Sequence, residues 1–350
     1  MSDPILSTNA LEKRFTSGKS IIGKPTVIHA VNGVSLTIKR GETFAIVGES
    51  GCGKSTLARL LLRLLEPSAG TVSYEGQDLT SLSSARMRRL RAEMQFIFQD
   101  PFSSLNPRMT VETIVGEPLL VHSTLSRKER RARVADLLTK VGLRPDHAGR
   151  YPHEFSGGQR QRICVARALA SGPKLLIGDE PVSALDVSVQ AQIVNLLEDL
   201  KEDFGLTLII IAHDLAVIRH MADRVAVMYL GEVIELAATE DLYSAPRHPY
   251  TRALLSAIPV PGPGRRDRAV PLGGDIPSPA NPPSGCKFHT RCPHATEICH
   301  TTRPVLETGT AHQTACHHWR DLPELSEPVP APAQSPATAA RFALWREHST

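Results

Sequence analysis

Nothing in this chain of 350 residues approaches the roughly 18–20 consecutive apolar positions that a membrane-crossing helix needs. Apolar stretches such as Leu208–Ala212 are only strand-sized. The opening Met1-Ser-Asp-Pro-Ile has no basic region followed by an apolar stretch, so it does not read as a secretory signal. Those two features predict a protein that stays in the cytoplasm. Charge of one sign is also lacking. Forty basic residues stand against 36 acidic ones, a net charge of +4, which gives no reason to expect a nucleic-acid partner. There is no internal repeat and no sustained heptad pattern, which excludes a long coiled coil. Cysteine is sparse until late in the chain. Cys52 and Cys164 are isolated, whereas Cys286, Cys292, Cys299 and Cys316 crowd into one short stretch.

What is present is an ordinary apolar share, 41%, arranged in alternating patterns. Strand-like runs fall at Thr43–Val47, Gln95–Phe98, Leu175–Ile177, Thr207–Ile211 and Arg224–Met228. Helical patterns lie between them at Lys54–Leu65, Arg127–Val141, Gly158–Ala170 and Val187–Phe204. Strands alternating with helices predict an α/β fold with a largely parallel sheet covered on both faces. From Pro246 the character changes. Pro and Gly punctuate Pro259–Pro283, a linker pattern around a short helix Tyr250–Ile258, and the Cys/His-rich piece Cys286–His318 follows. Beyond Leu322 the chain is rich in Pro and Ala and reads as disordered.

The first chemical signal is Gly48-Glu49-Ser50-Gly51-Cys52-Gly53-Lys54-Ser55-Thr56, which fits G-x-x-x-x-G-K-[ST] between an apolar strand and a helix. Glycines let such a loop turn its backbone N–H groups inward onto phosphate oxygens, and the helix N-terminus adds its dipole. Lys54 is suited to neutralise the β- and γ-phosphates of ATP, and the Ser55 hydroxyl to ligate Mg²⁺. The second signal is Leu175-Leu-Ile-Gly-Asp179-Glu180, a buried strand ending in two carboxylates where open α/β sheets bind ligands. Asp179 is expected to hold Mg²⁺ through water and Glu180 to act as general base.

A third stretch narrows the class. Phe155-Ser156-Gly157-Gly158-Gln159-Arg160 opens another helix about 20 residues before Asp179, a second anion-binding helix N-terminus in the same domain. Two chains facing head to tail could bring this turn and the phosphate loop onto one γ-phosphate. With these motifs in this order, residues 5–260 resemble the ATP-binding cassette (ABC) ATPases. That resemblance implies a P-loop fold with a RecA-like core, an antiparallel β part and a helical subdomain at about 100–172. It also implies a small Cys-rich extension at 261–320 and leaves a tail at 321–350. Ser156, Gly157, Gly158 and Gln159 match the signature that caps the partner's ATP, with Phe155 where many members have leucine. Gln99 matches the glutamine linking Mg²⁺ to the membrane partner, Ser183 and Asp186 the D-loop, and His213 the switch histidine. Phe15 lies where members place an aromatic on adenine.

The match narrows to ATPase subunits of dipeptide/oligopeptide importers, closest to the second, F-type ATPase. The importer match rests on Phe98-Gln99-Asp-Pro-Phe-Ser-Ser-Leu-Asn-Pro107, Asp179-Glu-Pro-Val-Ser-Ala-Leu-Asp-Val-Ser-Val-Gln190, Arg247-His-Pro-Tyr-Thr-Arg252 and Ile276-Pro-Ser-Pro-Ala-Asn-Pro-Pro-Ser-Gly-Cys286, and the F-type assignment adds Arg150-Tyr-Pro-His-Glu-Phe155. Such a subunit would sit at the cytoplasmic face of the membrane. Its implied partners are a second, usually non-identical ATPase, two permease subunits and an extracytoplasmic peptide-binding protein. Nickel and glutathione importers use similar ATPases, so cargo is not fixed. A soluble ABC ATPase of repair or translation is the reading from another class, disfavoured by the single cassette. Gln99–Pro107 is expected to face a permease, with Ser103 and Leu105 outward.

The four late cysteines are spaced C-x₅-C-x₆-C-x₁₆-C. Four thiolates can ligate either an iron–sulfur cluster or zinc. The absence of C-x-x-C pairs tilts the reading toward iron, and the resemblance implies a [4Fe–4S] cluster. His289, His294, His300, His317 and His318 keep a mixed Cys/His zinc site open, and disulfides or no metal remain alternatives. Their role is expected to be structural, too far along the chain for a part in ATP chemistry.

Overall fold

A computed structural model describes residues 4–17, 26–183, 185–258, 273–307 and 309–323. The main sheet has seven strands among these residues. In chain order they are β4 (Thr43–Val47), β7 (Met94–Ile97), β8 (Leu175–Asp179), β9 (Thr207–Ala212), β10 (Arg224–Tyr229), β11 (Glu232–Ala238) and β12 (Gln313–Thr314). Across the sheet they run β12-β11-β10-β4-β9-β8-β7. The five from β10 to β7 are parallel, while β11 and β12 add an antiparallel edge. β4, β8 and β9 are buried at every position, the continuous apolar reading of a sheet covered on both faces.

A second, antiparallel sheet holds β1 (Pro4–Ser17), β2 (Thr26–Val34), β3 (Thr37–Lys39), β5 (Ala69–Tyr74) and β6 (Gln77–Asp78), with β1 between β2 and β5. Its apolar faces share one core with Phe44, Ile46 and the helix Lys54–Leu61. The helices Val111–His122, Arg127–Lys140 and Gly157–Leu169 pack on one another through Ile114, Val115, Leu137, Leu138 and Ile163. The elements expected from periodicity are present, with ends moved by one to a few residues. The phosphate-loop helix stops at Leu61, ahead of Arg63 at φ 48°. The last expected helix runs Pro249–Ser256, started by His248, whose Nδ1 accepts from Tyr250 N–H at 3.1 Å.

The C-terminal segment is built into the domain. β12 pairs with β11, a 3₁₀ turn covers His289–Arg291, and a short helix covers Glu297–Thr301. Glu235 on β11 is fully buried. It accepts from the backbone N–H of Arg247 (2.6 Å) and His248 (3.0 Å) and pairs with His312 Nε2 at 2.7 Å. A buried carboxylate needs that many partners to offset its lost hydration. Among the described residues, no helix is long and apolar enough to cross a membrane. Residues 324–350 of the proline-rich tail and 259–272 of the expected linker lie outside the described residues.

Candidate nucleotide site

Parallel pairing fixes where the site must be. Val47 is opposite Ala212, Asp179 opposite Ile211, and Ile97 opposite Gly178. The C-terminal ends of β4, β9, β8 and β7 therefore line up, and the loops leaving them carry the motif residues to one edge. From β4 the chain enters the loop Gly48–Gly53. Gly53 has φ +106°, and a Cβ there would lie 2.1 Å from Ala30 O. The loop can turn tightly against β2 only because position 53 has no side chain. Lys54 is buried, and its Nζ donates to Gly48 O (2.7 Å) and Glu49 O (3.0 Å), inside the loop's concavity.

Ser55 Oγ donates to Asp179 Oδ1 at 2.8 Å. Asp179 is 1% exposed, and burial pushes its carboxyl above the ordinary range, opposed by the Ser55 bond. A buried carboxylate beside a serine hydroxyl is an all-oxygen donor pair suited to Mg²⁺, whose charge would remove that penalty. Glu180, next along the chain, has φ +47°, which an L-residue adopts only under constraint. Its N–H donates to Ile211 O at 3.0 Å, holding the turn. Its Oε2 accepts from Gln99 Nε2 at 2.9 Å and faces His213 Nδ1 at 3.4 Å. Three motifs separated widely in sequence thus meet on one carboxylate.

The cleft beside these groups measures about 200 Å³ and is lined by Ser50–Thr56, Gln99 and Glu180, with Ile28–Ala30 of β2 and Pro279 of the C-terminal segment. Phe15 does not line it. It lies on β1 opposite Ile28, 40% exposed, with Lys13 Nζ 5.4 Å from its ring centroid. Ser156 to Gln159 are not at this cleft either. Ser156 caps its helix reciprocally with Gln159, and a Cβ at Gly158 would lie 2.5 Å from Val189. Ser183 Oγ donates to Glu180 O at 3.1 Å, and Asp186 caps the helix Val187–Phe204 by accepting from Val189 N–H at 3.0 Å. In the segment after Gln99 one expectation is corrected. Ser103 is exposed, but Leu105 is 2% exposed within the core and Phe102 is the outward apolar residue. Leu105 packs in the core with Val111, Ile114 and Ile163 of the helical layer, a direction a turn-rich sequence could not reveal.

The late cysteines converge more than they ligate. All four are free thiols lining one small cavity of about 10 Å³, with His248, His289, His294, His317 and His318 also at its wall. That is room for about one water-sized sphere, less than a four-iron cluster occupies. Among the described residues, no group of three or more His, Cys, Asp or Glu side chains is set to hold a metal ion. The [4Fe–4S] expectation is therefore not supported by the packing. Burial raises the thiol pKa of Cys286 to about 12 and of Cys316 to about 11, each reinforced by the neighbouring cysteines. The segment nevertheless reaches the phosphate loop, far as it lies along the chain. Arg291, adjacent to Cys292, donates to Glu49 of the phosphate loop from Nη1 (2.7 Å) and Nη2 (3.0 Å). Distance along the chain gave no hint of this, since the sheet edge folds the late segment back onto the loop.

A glycine loop between a buried strand and a helix, a serine on a buried aspartate and an adjoining strained glutamate define a P-loop ATPase. The profile of the ABC transporter family matches residues 31–183, and that of the "Oligopeptide/dipeptide transporter, C-terminal region" matches residues 234–299. The chain is 55% identical over 295 residues to the Bacillus subtilis (strain 168) "Oligopeptide transport ATP-binding protein AppF", covering 83% of this chain and 89% of that one. It is 50% identical over 347 residues to the "Probable peptide ABC transporter ATP-binding protein y4tS" of Sinorhizobium fredii, covering 98% of this chain and 96% of that one. Among solved structures it resembles the dimeric ATP-binding cassette MJ0796 in a post-hydrolysis state bound to ADP and Pi. The TM-score is 0.60 and the identity 31%, with 67% of this chain and 98% of that one covered. This chain belongs to the ABC transporter ATP-binding family, in the group that carries the oligopeptide/dipeptide C-terminal region.

Proposed function

We propose that the chain is the ATP-hydrolysing subunit of a peptide importer, attached to the cytoplasmic face of the membrane through permease subunits. The observation that carries the hydrolytic part is the meeting of Gln99, Glu180 and His213 beside Ser55 and Asp179 at the phosphate loop. The peptide part is supported by the two family profiles and by relatives named for peptide transport.

In this reading, backbone N–H groups of Gly51–Thr56 and the Lys54 ammonium hold the phosphates of ATP, and Ile28–Ala30 border the cleft with Phe15 on the neighbouring strand. Ser55, Asp179 and Gln99 would hold Mg²⁺, which would supply neutralisation of phosphate charge. Glu180 accepts a proton from a water whose oxygen bonds to the γ-phosphorus, while the bond to the β–γ bridging oxygen breaks and ADP leaves with that electron pair. His213 orients Glu180 and contacts the γ-phosphate. Ser156–Gln159 cap the nucleotide of a facing ATPase, non-identical in such importers, and Ser183 and Asp186 lie at that junction. Two permease subunits and an extracytoplasmic peptide-binding protein complete the assembly. Residues 5–260 form the cassette, with its helical subdomain at about 100–172, and 261–320 form the Cys-rich extension.

The finer reading of the cysteine cavity is a metal centre, iron–sulfur with zinc as the alternative. Four thiols sharing one cavity support it, those of Cys286, Cys292 and Cys316 raised in pKa by burial, because a cation would relieve the cost of ionising them. Anaerobic purification should give a brown protein with about four irons per chain; a colourless, zinc-loaded protein decides for zinc. The importer reading is tested by a cysteine at Ser103, which should crosslink to a permease subunit in the assembled complex. Capture of the partner ATPase alone would count against it.

A further inference from the structure

The phosphate loop is held from outside the cassette motifs. Glu49, its second residue, is gripped at two points. Its carboxylate takes both arms of the Arg291 guanidinium, at 2.7 and 3.0 Å, and its backbone N–H donates to Tyr250 Oη at 2.9 Å. The Arg291 side chain is only 5% exposed. Behind it lies a ring cluster: Tyr229 packs on Tyr250 (centroids 4.9 Å) and edge-on against Phe288 (5.4 Å), with the Arg291 guanidinium 5.9 Å from the Tyr229 ring. Arg291 itself sits on the 3₁₀ turn His289–Arg291, and its Nε donates to Gly273 O at 3.3 Å. The same C-terminal segment reaches the cleft a second time, through Pro279.

We propose that Arg291 is a positioning residue of the ATP site, through which the C-terminal segment holds the phosphate loop in its nucleotide-binding shape. This rests on the ATP-site reading above. Two effects act together. A forked pair fixes direction as well as distance, so it orients the loop whose N–H groups must all face the phosphates. Arg291 also neutralises a carboxylate that is part of a loop built for anions. Without it, the Glu49 charge would repel the incoming phosphates and pull the loop toward water.

The test is binding of a fluorescent ATP analogue, with Mg²⁺, to the full chain. Arg291→Met should weaken binding about tenfold, the scale of one charge-assisted interaction. In the assembled complex the loss should fall on KM for ATP, with kcat at saturating ATP near wild type. Adding Glu49→Gln to Arg291→Met should recover part of the affinity, because the uncompensated carboxylate is gone while the fork stays absent. A merely structural role for Arg291 predicts no such recovery. Lys54→Ala is the control for the site. If Lys54→Ala abolishes binding and Arg291→Met leaves it at wild type, or if the double variant binds as weakly as Arg291→Met, the brace is wrong and the site stands. If Lys54→Ala binds normally, the site reading itself fails. Should Arg291→Met not fold, Arg291→Lys replaces it, keeping the charge but losing the fork. Weakening by about threefold then supports the brace, and unchanged affinity overturns it.

Discussion

Replacing Glu180 by Gln separates chemistry from binding and from geometry in one side chain. The amide has the same shape as the carboxylate. Its carbonyl oxygen can still accept from Gln99 Nε2, now at 2.9 Å, and the backbone bond from residue 180 to Ile211 O is untouched. Proton acceptance alone is lost. Removing a positioned general base costs about 10²–10⁴ in rate, or roughly 3–5 kcal/mol of transition-state stabilisation. Nucleotide affinity should stay within a few-fold, because the phosphates are held by the loop and by Lys54. A second substitution checks the geometry. Position 180 has φ +47°, a conformation that costs a non-glycine residue on the order of 1–3 kcal/mol. Glu180→Gly should therefore be as inactive as Glu180→Gln yet melt at the same temperature as wild type or higher. Phosphate release from the assembled complex and a thermal melt of the chain provide the two readouts. Turnover of Glu180→Gln within tenfold of wild type would refute the assignment of the base, and a markedly less stable Glu180→Gly would refute the strain argument.

Three further outcomes are expected. Lys54→Ala should weaken ATP binding by two orders of magnitude or more, measured by equilibrium titration, since it removes the ammonium inside the loop. Gly53→Ala should lower the melting temperature by roughly 5 °C or more and abolish nucleotide binding, because its methyl would sit 2.1 Å from Ala30 O. Asp179→Asn should raise thermal stability while weakening Mg²⁺-dependent ATP binding. The folded-state pKa of Asp179 is raised, so its burial penalty is absent below the unfolded value near 3.8 and develops as pH rises through the folded value. The stability gain of the Asn variant should accordingly be full at neutral pH and vanish in acid; a gain independent of pH would show that ionisation of Asp179 is not its cause.

The convergence of the phosphate loop with Asp179 and Glu180 was legible in the sequence because each of its parts carries a local signal. The loop needs its glycines, the strand needs its apolar run, and the carboxylates follow that run at once. Register did the rest, aligning the ends of β4, β8 and β9. Legibility failed where position depends on long-range packing. Leu105 looks like part of an outward turn and is core, because the helical layer closes over it. Ile28–Ala30 line the cleft, although nothing in their sequence marks a ligand wall. Arg291 and Pro279 were invisible as site residues for the same reason, since only the return of the late segment to the sheet edge brings them to the loop. The four cysteines show the opposite case. Their crowding was plain in the sequence, yet their spacing says nothing of how tightly Phe288 and its neighbours close the cavity they share.

The pairing of Glu49 with Arg291 spans 242 positions of the chain. During synthesis the loop leaves the ribosome long before Arg291, followed by the strands that align Asp179, Glu180 and His213 beside it, and its clamp arrives only after the cysteine-rich segment begins to emerge. A product broken off after β11 would carry every hydrolytic motif and still lack Arg291, Pro279 and the paired edge at β12. If the brace holds, full grip on nucleotide requires synthesis to have passed Arg291. Shortened products would compete poorly for ATP, whatever their motifs suggest.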